Sequence, residues 1–282
     1  MSLFYDNCRN EFNLSVIAGP CVFESKQHAL DMAGQLSEIC KDLNVNYIYK
    51  TSFDKANRTS VTSYRGAGFD EAFYGFVAVK EMFGLEVLTD VHEPWHCETV
   101  PADIIQIPAF LCRQTDLLQA AAASGKPVNV KKGQFLSPRE MVNIVHKLES
   151  SGCTKVMMTE RGTTFGYNDL VVDMRSLDIM RGNTPMNYPV IMDCTHAVQS
   201  PGGNGISSGG NRSMVPVIAR AATAVGIAGV FMEVHQDPDN APCDGPNMLH
   251  LANFKSVLQQ LLELDYVVKA HMSSRGEQSE AW

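Results

Sequence analysis

Three observations predict that the chain folds as a (β/α)8 TIM barrel with a short N-terminal extension. Short apolar runs alternate with helical patterns eight times along the 282 residues. A polar or ionisable residue follows each apolar run, as it does at the C-terminal mouth of a closed barrel. The length also fits, because such barrels take about 250 residues.

The strand candidates are short runs rich in β-branched, aromatic and other apolar residues. They are 15–18, 45–50, 86–89, 103–107, 128–131, 155–159, 189–193 and 229–234. The helical stretches between them include 27–43, 71–83, 115–124, 138–150, 174–180, 212–225 and 249–268. This alternation implies parallel strands joined by right-handed crossovers.

A doubly wound open sheet would show the same alternation of strands and helices. It would, however, gather its polar site residues at one switch point rather than at the end of every strand. Here the strand ends carry, in chain order, Cys21, Lys50, Asp90 with His92, Gln106, Lys131, Arg161, His196, and Glu233 with His235. This distribution favours the closed barrel.

We expect residues 1–270 to form one catalytic barrel domain. The segment 1–13 could close the floor of the barrel. Residues 271–282 are polar and aperiodic, so we expect a disordered tail.

Composition excludes several classes of function. The net charge of −8 argues against binding to nucleic acid or to an anionic membrane surface, so anionic substrates would need a local basic pocket. No apolar run approaches the roughly 18 residues of a membrane span, and the N-terminus lacks the features of a signal peptide. Eight cysteines without CxxC spacing indicate reduced thiols in a cytoplasmic protein.

Two sets of cations indicate anion-binding sites. Lys50, Lys55 and Arg58 fall among hydroxyl and amide side chains directly after an apolar run. Lys131 and Arg161, with Arg113 as a further candidate, follow strands five, six and four. Separate clusters suggest two phosphorylated substrates or one bisphosphate. A solvated polar loop remains the alternative for the first set, and pairing of Arg113 with Asp116 for the last residue.

A metal site is predicted where the barrel closes. Cys21, His196, Glu233 and Asp244 follow strands one, seven and eight, which are neighbours in a closed barrel. One thiolate, one imidazole and two carboxylates suit Fe2+, Zn2+ or Mn2+ better than Mg2+. A buried core thiol is the alternative for Cys21.

A carboxylate and an imidazole follow strand three. Asp90 and His92 are two residues apart, so both can face the same side and handle a proton or a hydroxyl group. The alternative is a hydrogen-bonded pair that supports the mouth. His235 and Asp237 have similar spacing and carry less weight.

The run Lys-Ala-Asn-Arg-Thr-Ser at 55–60 resembles the Lys-Ala-Asn-Arg-Ser-Ser signature of 3-deoxy-D-manno-octulosonate 8-phosphate synthases. Further matches extend from about 15 to 269. The resemblance implies condensation of phosphoenolpyruvate with arabinose 5-phosphate, with no redox step. It also implies small-molecule substrates, a homotetramer and a role in lipopolysaccharide or cell-wall sugar synthesis.

The resemblance assigns roles residue by residue. It places phosphoenolpyruvate against Lys55, Lys131, Arg161, Arg113 and Gln106. It places arabinose 5-phosphate against Asn57, Arg58, Thr59 and Lys55. Lys50, at the end of strand two, is a further candidate substrate-binding residue. Thr59 replaces the usual serine and keeps the hydroxyl. The candidate catalytic residues are Lys55, Asp90, His92, His196 and Asp244.

Cys21, His196, Glu233 and Asp244 match the metal ligands of the metal-dependent branch, which implies a divalent Zn2+, Fe2+ or Mn2+ cofactor. The other branch carries asparagine in place of Cys21. A related family, the 3-deoxy-D-arabino-heptulosonate 7-phosphate synthases acting on erythrose 4-phosphate, carries Lys-Pro-Arg-Thr at 55–58 instead. That family and a non-catalytic sugar-phosphate-binding barrel are the alternatives.

Overall fold

Eight parallel strands pair in chain order around a closed ring. The computed structural model describes residues 2–182, 186–203 and 208–275. The first strand pairs with the second and also with the last, in a register that sets Ser15 beside Gly229 and Gly19 beside Glu233. The strands are β1 Ser15–Gly19, β2 Tyr47–Lys50, β3 Val87–Asp90, β4 Ile104–Ile107, β5 Val128–Lys131, β6 Val156–Glu160, β7 Val190–Asp193 and β8 Gly229–His235. The predicted barrel is confirmed.

Helices lie between the strands and pack on the outside of the ring. They are α1 Leu3–Asn7, α2 Lys26–Asp42, α3 Phe69–Phe83, α4 Pro94–Thr99, α5 Thr115–Ala123, α6 Met141–Ser150, α7 Arg175–Gly182, α8 Val215–Thr223 and α9 Leu251–Arg275. In α2 the Ser25 side chain caps the first turn by accepting from the His28 N–H. Its buried residues Met32, Leu36 and Cys40 recur at helical spacing and face the strands.

The apolar interior of the described residues has two main parts, besides a small cluster of Cys21, Val22, Cys243 and Met248. The larger part fills the layer between the ring and the helices. The smaller part lies inside the ring, where inward side chains of the strands meet Phe4, Tyr5 and Cys8 from the N-terminal segment. The Asn46 amide donates to the Phe4 carbonyl at 3.1 Å and helps to anchor this segment. The N-terminal segment thus closes the floor of the barrel, as the sequence suggested.

The structure differs from the sequence expectation mainly at element ends. The helices expected at 138–150 and 212–225 each begin with a 3-10 turn, at Pro138–Glu140 and Arg212–Met214. The short helices α1 and α4 carry too few residues to show a period, and sequence reasoning missed them. Helix α9 runs to Arg275, so 271–275 are helical rather than disordered, and 276–282 lie outside the described residues.

Two further expectations concern the thiols and the membrane. All eight cysteines are free and buried. Within the described part of the chain, every helix is too short or too polar to cross a lipid bilayer.

Candidate active site

The C-terminal mouth of the barrel encloses a cavity of about 330 Å3. Side chains from almost every strand end and from the loop 51–68 reach it. The predicted site residues that line it are Lys50, Lys55, Asn57, Arg58, Thr59, Asp90, His92, Gln106, Lys131, Arg161, His196 and Asp244. The alternation of side chains along the strands therefore gathers both cation sets around one space.

A chain of hydrogen bonds crosses the cavity floor from β6 to the end of β2. The Thr159 hydroxyl donates to Asn129 at 2.7 Å, and the Asn129 amide donates to Gln106 at 2.8 Å. Gln106 and the Ser52 hydroxyl in turn donate to the two oxygens of Asp90. Every member is buried, so the network fixes both the position of Gln106 and the ionised state of Asp90.

Two lysines converge on the same polar floor. Lys50 Nζ and Lys55 Nζ donate to Ser52 Oγ at 3.0 and 3.2 Å, and both lie within 3.6 Å of Glu233 Oε1. Burial opposes the charge on Lys55, but the Cys21 and Glu233 side chains outweigh it and raise its pKa. Burial also opposes ionisation of Asp90, yet Lys50 and Lys55 hold its pKa well below the usual range. The floor is a set of mutually stabilised charges.

The second cation set, Lys131 and Arg161, lines the wall of the cavity at the ends of β5 and β6. Lys131 Nζ is 2.5 Å from Asp193 Oδ2 and 3.2 Å from the centre of the Phe231 ring. Burial lowers the pKa of Lys131 to about 8, against the opposing effect of Asp193. Arg161 Nη2 donates to the His196 carbonyl at 3.0 Å and to Gln199 Oε1 at 3.2 Å. A lysine and an arginine thus face the cavity from adjacent strands.

The predicted metal ligands come together beside this wall. His196 Nε2 is 3.7 Å from Glu233 Oε1 and 3.8 Å from Asp244 Oδ2. Cys21 Sγ is 3.2 Å from the same Asp244 oxygen. Asp244 adopts a φ of 49°, in the left-handed region that is uncommon for residues other than glycine, asparagine and aspartate.

Two candidate metal-binding groups share Asp244: one is completed by His196 and Glu233, the other by Cys21 and Cys243. Asp193 Oδ2 lies 2.8 Å from His196 Nδ1, which leaves the other ring nitrogen facing the carboxylates, as expected of a metal-ligating histidine. Burial opposes ionisation of Glu233, but His196, Lys55 and Lys50 outweigh it and hold its pKa at about 2. Two oxygens, one nitrogen and one sulfur suit a cation softer than Mg2+.

Sequence reasoning missed three residues of this centre. Cys243 Sγ lies 2.7 Å from Cys21 Sγ, so a second thiol adjoins the proposed ligands. Asp193 binds both Lys131 and His196, and Ser52 links both floor lysines to Asp90. Asp193 ends a buried strand, and Cys243 precedes Asp244, which are the signals that could have identified them.

The predicted site residues lie at different depths relative to the cavity, some behind its lining and some at its rim. Cys21 and Glu233 are 1% exposed and lie behind the residues that line the cavity. Asn57 and Thr59 line its rim and are solvent-exposed. Burial lowers the pKa of His92, which lies at the mouth against the Phe53 ring.

Arg113 is the predicted substrate-binding residue that lies away from this cavity. Its side chain is exposed just before α5, and it is not among the described residues that line the cavity. The 3-10 turn Ala109–Leu111 after β4 carries the chain outward before Arg113 is reached. The structure therefore does not bring Arg113 into the mouth of this chain.

A second histidine cluster lies outside the cavity. His235 Nε2 is 2.9 Å from Glu24 Oε1, while His235 Nδ1 accepts from the Asp237 N–H at 3.0 Å. These bonds hold the loop that leaves β8. His235 therefore supports the segment that leads to Asp244. This agrees with the sequence analysis, which gave His235 and Asp237 less weight as a site pair than Asp90 and His92.

A closed barrel whose mouth gathers two cation sets beside a thiol, an imidazole and carboxylates belongs to the class of (β/α)8 enzymes that act on small anionic molecules. Residues 10–270 match the DAHP synthetase I family, and the chain belongs to that family.

Curated relatives agree over nearly the whole chain. A 2-dehydro-3-deoxyphosphooctonate aldolase of Rhodopseudomonas palustris (strain HaA2) is 59% identical over 262 residues, covering 92% of this chain and 91% of its own. Proteins with the same name from Nitrobacter hamburgensis and Bradyrhizobium diazoefficiens are 58% and 56% identical. They cover 91% and 92% of this chain, and 90% and 92% of their own lengths.

Proposed function

We propose that the chain condenses phosphoenolpyruvate with D-arabinose 5-phosphate and water to give 3-deoxy-D-manno-octulosonate 8-phosphate and inorganic phosphate. The name of the relatives is an alternative name for this synthase. The observation that carries the proposal is the convergence of both cation sets on one cavity whose rim bears the Lys-Ala-Asn-Arg run. The reaction joins C3 of phosphoenolpyruvate to the aldehyde carbon, adds water at C2 and releases phosphate.

In this proposal, phosphoenolpyruvate binds between Lys131 and Arg161 on the wall of the cavity and Lys55 on its floor. Lys131 and Arg161 supply two buried positive charges, and Lys55 faces them from the floor. Gln106 is fixed by Asp90 and Asn129, so it presents a rigid polar contact. Burial strengthens charge-assisted bonds to an anion by removing competing water.

The sugar phosphate binds nearer the rim. Arg58 and Thr59 are placed to bind its phosphate, and Asn57 offers both a donor and an acceptor to its hydroxyl groups. Asp90 on the floor and His92 at the mouth would hold or move a proton or orient a hydroxyl. Lys50 keeps Asp90 ionised for that role.

We further propose that the chain belongs to the metal-dependent branch. Cys21, His196, Glu233 and Asp244 would hold a Zn2+, Fe2+ or Mn2+ ion. When bound, the ion supplies Lewis acidity toward the aldehyde oxygen and water. Asp193 orients His196, and Lys55 offsets the negative charge of Glu233.

The wider setting follows from the same proposal. Residues 1–270 act as one catalytic domain, and the chain assembles as a homo-oligomer, a tetramer by analogy with the family. It works in the cytoplasm, where it supplies an eight-carbon sugar phosphate for lipopolysaccharide synthesis.

The deciding experiment measures phosphate release from phosphoenolpyruvate with arabinose 5-phosphate or erythrose 4-phosphate, each with and without a chelator. We expect turnover with arabinose 5-phosphate, loss of activity with chelator and recovery with Mn2+, Zn2+ or Fe2+. Preference for erythrose 4-phosphate would support the heptulosonate alternative. No turnover with either sugar would support a binding barrel.

Asn57→Ala sharpens the choice of sugar. Loss of one hydrogen bond to a substrate hydroxyl costs about 1–3 kcal/mol of transition-state binding free energy, measured as a lower kcat/KM. The variant should lose this for arabinose 5-phosphate while its phosphoenolpyruvate KM stays unchanged. Equal discrimination by the variant and the native chain would remove Asn57 from the specificity site.

A further inference from the structure

A buried ion pair that the proposed chemistry does not use joins the C-terminal ends of β5 and β6. Lys132 Nζ lies 3.5 Å from Glu160 Oε1, and the two side chains are 0% and 1% exposed. Their neighbours Lys131 and Arg161 line the cavity, whereas the pair is not among the described lining residues. Because successive side chains of a strand point to opposite faces, Lys132 and Glu160 lie on the far side of the strands from the cavity, behind Lys131 and Arg161.

Glu160 fixes the backbone that carries Arg161. Its Oε1 accepts the N–H of Arg161 at 2.9 Å and the N–H of Gly162 at 2.7 Å. Gly162 has a φ of 92°, which a side chain would strain, so the turn directly after Arg161 is sharp and specific. One buried carboxylate oxygen therefore fixes the position of the Arg161 backbone, from which the guanidinium side chain extends.

Lys132 connects the two loops. Its Nζ donates to the Leu136 carbonyl at 3.1 Å and to the Thr163 hydroxyl at 3.1 Å. The Lys132 N–H also donates to the Thr159 carbonyl at 2.8 Å. The pair thus ties the loop that follows Lys131 to the loop that contains Arg161.

We propose that Lys132 and Glu160 are positioning residues for the phosphoenolpyruvate site, setting the separation and aim of Lys131 and Arg161. The inference rests on the proposed function, because it names the substrate that the two cations receive. Recognition by a planar guanidinium depends on its orientation, and small displacements of a binding group are costly. The opposite charges of the pair neutralise each other, so its contribution is geometric.

The test replaces the pair with apolar side chains of similar size in the variant Lys132→Met/Glu160→Leu. The matched control is Lys269→Met/Asp265→Leu. That buried pair is 2.7 Å apart at the other end of the barrel, and it also holds backbone groups, at Leu14 and Phe12. Calorimetry measures the Kd for phosphoenolpyruvate, and phosphate release gives both KM values and kcat.

We expect the Kd and KM for phosphoenolpyruvate to rise about tenfold or more in Lys132→Met/Glu160→Leu. The KM for arabinose 5-phosphate should stay unchanged in this variant, and the control should bind phosphoenolpyruvate like the native chain. Glu160→Gln keeps an oxygen acceptor for the two backbone N–H groups, so it should show a smaller rise. An unchanged Kd in the folded double variant, or a rise equal to that of the control, would overturn the inference.

Two further outcomes are decisive. If Lys132→Met/Glu160→Leu does not fold, Glu160→Gln decides alone, since an unchanged Kd for phosphoenolpyruvate in that variant refutes a positioning role. If the native chain binds phosphoenolpyruvate but releases no phosphate, the proposed function fails while the calorimetric comparison still tests the pair. A native chain that does not bind phosphoenolpyruvate would overturn both.

Discussion

At the scale of single residues, Cys21 separates a structural from a functional reading most clearly. Its thiol is buried like those of the other cysteines, yet it lies 3.2 Å from a carboxylate oxygen and 2.7 Å from a second thiol. Burial, and then the hydrogen bond with Cys243, raise the pKa of Cys21. Such a thiol is inert without a cation, and a bound metal would deprotonate it.

Cys21→Ser should therefore remove metal and activity while the chain stays folded. The expected loss of metal affinity exceeds the about 10- to 100-fold that removal of an outer-shell partner costs. Metal content after dialysis, with thermal unfolding alongside, checks this. Cys112→Ser is the control, because Cys112 is equally buried in the outer core. Retention of metal by Cys21→Ser would show that Cys21 is a core thiol and not a metal ligand.

Lys131 gives a prediction about pH. Because burial lowers its pKa to about 8, the free enzyme carries this charge below pH 8 and loses it as the pH rises. We expect kcat/KM for phosphoenolpyruvate to fall above about pH 8, because kcat/KM reports the groups of the free enzyme. A pH profile that stays flat to pH 10, or an unchanged profile in Lys131→Met, would contradict the assignment.

Much of this site was predictable because strand ends in a barrel share one mouth. The positions of Lys131, Arg161, His196 and Glu233 followed from that rule. Arg113 did not, because a single turn of 3-10 helix after β4 redirects the chain. The contacts of Cys243 with Cys21 and of Ser52 with Asp90 arise only when separate loops fold together. The position of Cys243 directly before Asp244 is a sequence signal for the first contact, but Ser52 has no such signal.

At the scale of elements, α1 shows how a short segment contributes to the core. Phe4 and Tyr5 are buried against inward side chains of the ring, while neighbouring Leu3 is 70% exposed. The helix has only five residues, so its stability comes from this packing. That is also why sequence periodicity could not predict it, whereas the longer helices α2 and α6 were found within a few residues of their ends.

Phe4→Ala should destabilise the fold without altering the mouth. Removing a buried phenyl ring costs about 3–5 kcal/mol. Denaturant unfolding measures this loss, and kcat at 25 °C should be unchanged because the site lies at the other end of the barrel. Leu3→Ala is the matched control and should change the free energy of unfolding by less than about 0.5 kcal/mol. Equal effects of the two substitutions would show that α1 does not seal the floor.

At the scale of the whole molecule, an acidic protein concentrates positive charge around one cavity. The net charge is −8, yet Lys50, Lys55, Lys131 and Arg161 all face the mouth. These cations are balanced by buried carboxylates such as Asp193 and Glu233. The stability of the molecule is therefore linked to the ionisation of its own active site.

Acid unfolding should report this linkage. The folded-state pKa of Glu233 is about 2, below its ordinary value of 4.5, so its contribution is present above about pH 5 and is lost as the pH falls through 2. In chelator-treated protein, Glu233→Gln should flatten the dependence of the unfolding free energy on pH in that window. Glu263→Gln, on the outer helix α9, is the control, and equal slopes for all three proteins would contradict the linkage.

Closure of the ring has a consequence for biosynthesis on the ribosome. β1 pairs with β2 on one side and with β8 on the other. The pairing of Ser15 with Gly229 therefore cannot form until β8 has left the ribosome. Until then a growing chain exposes an unpaired strand edge and an open interior, which are the features that promote aggregation of partly made proteins. Pairings between distant parts of a chain also form slowly. We therefore expect nascent chains that end before β8 to be the species that chaperones hold, and release to coincide with synthesis of the last strand.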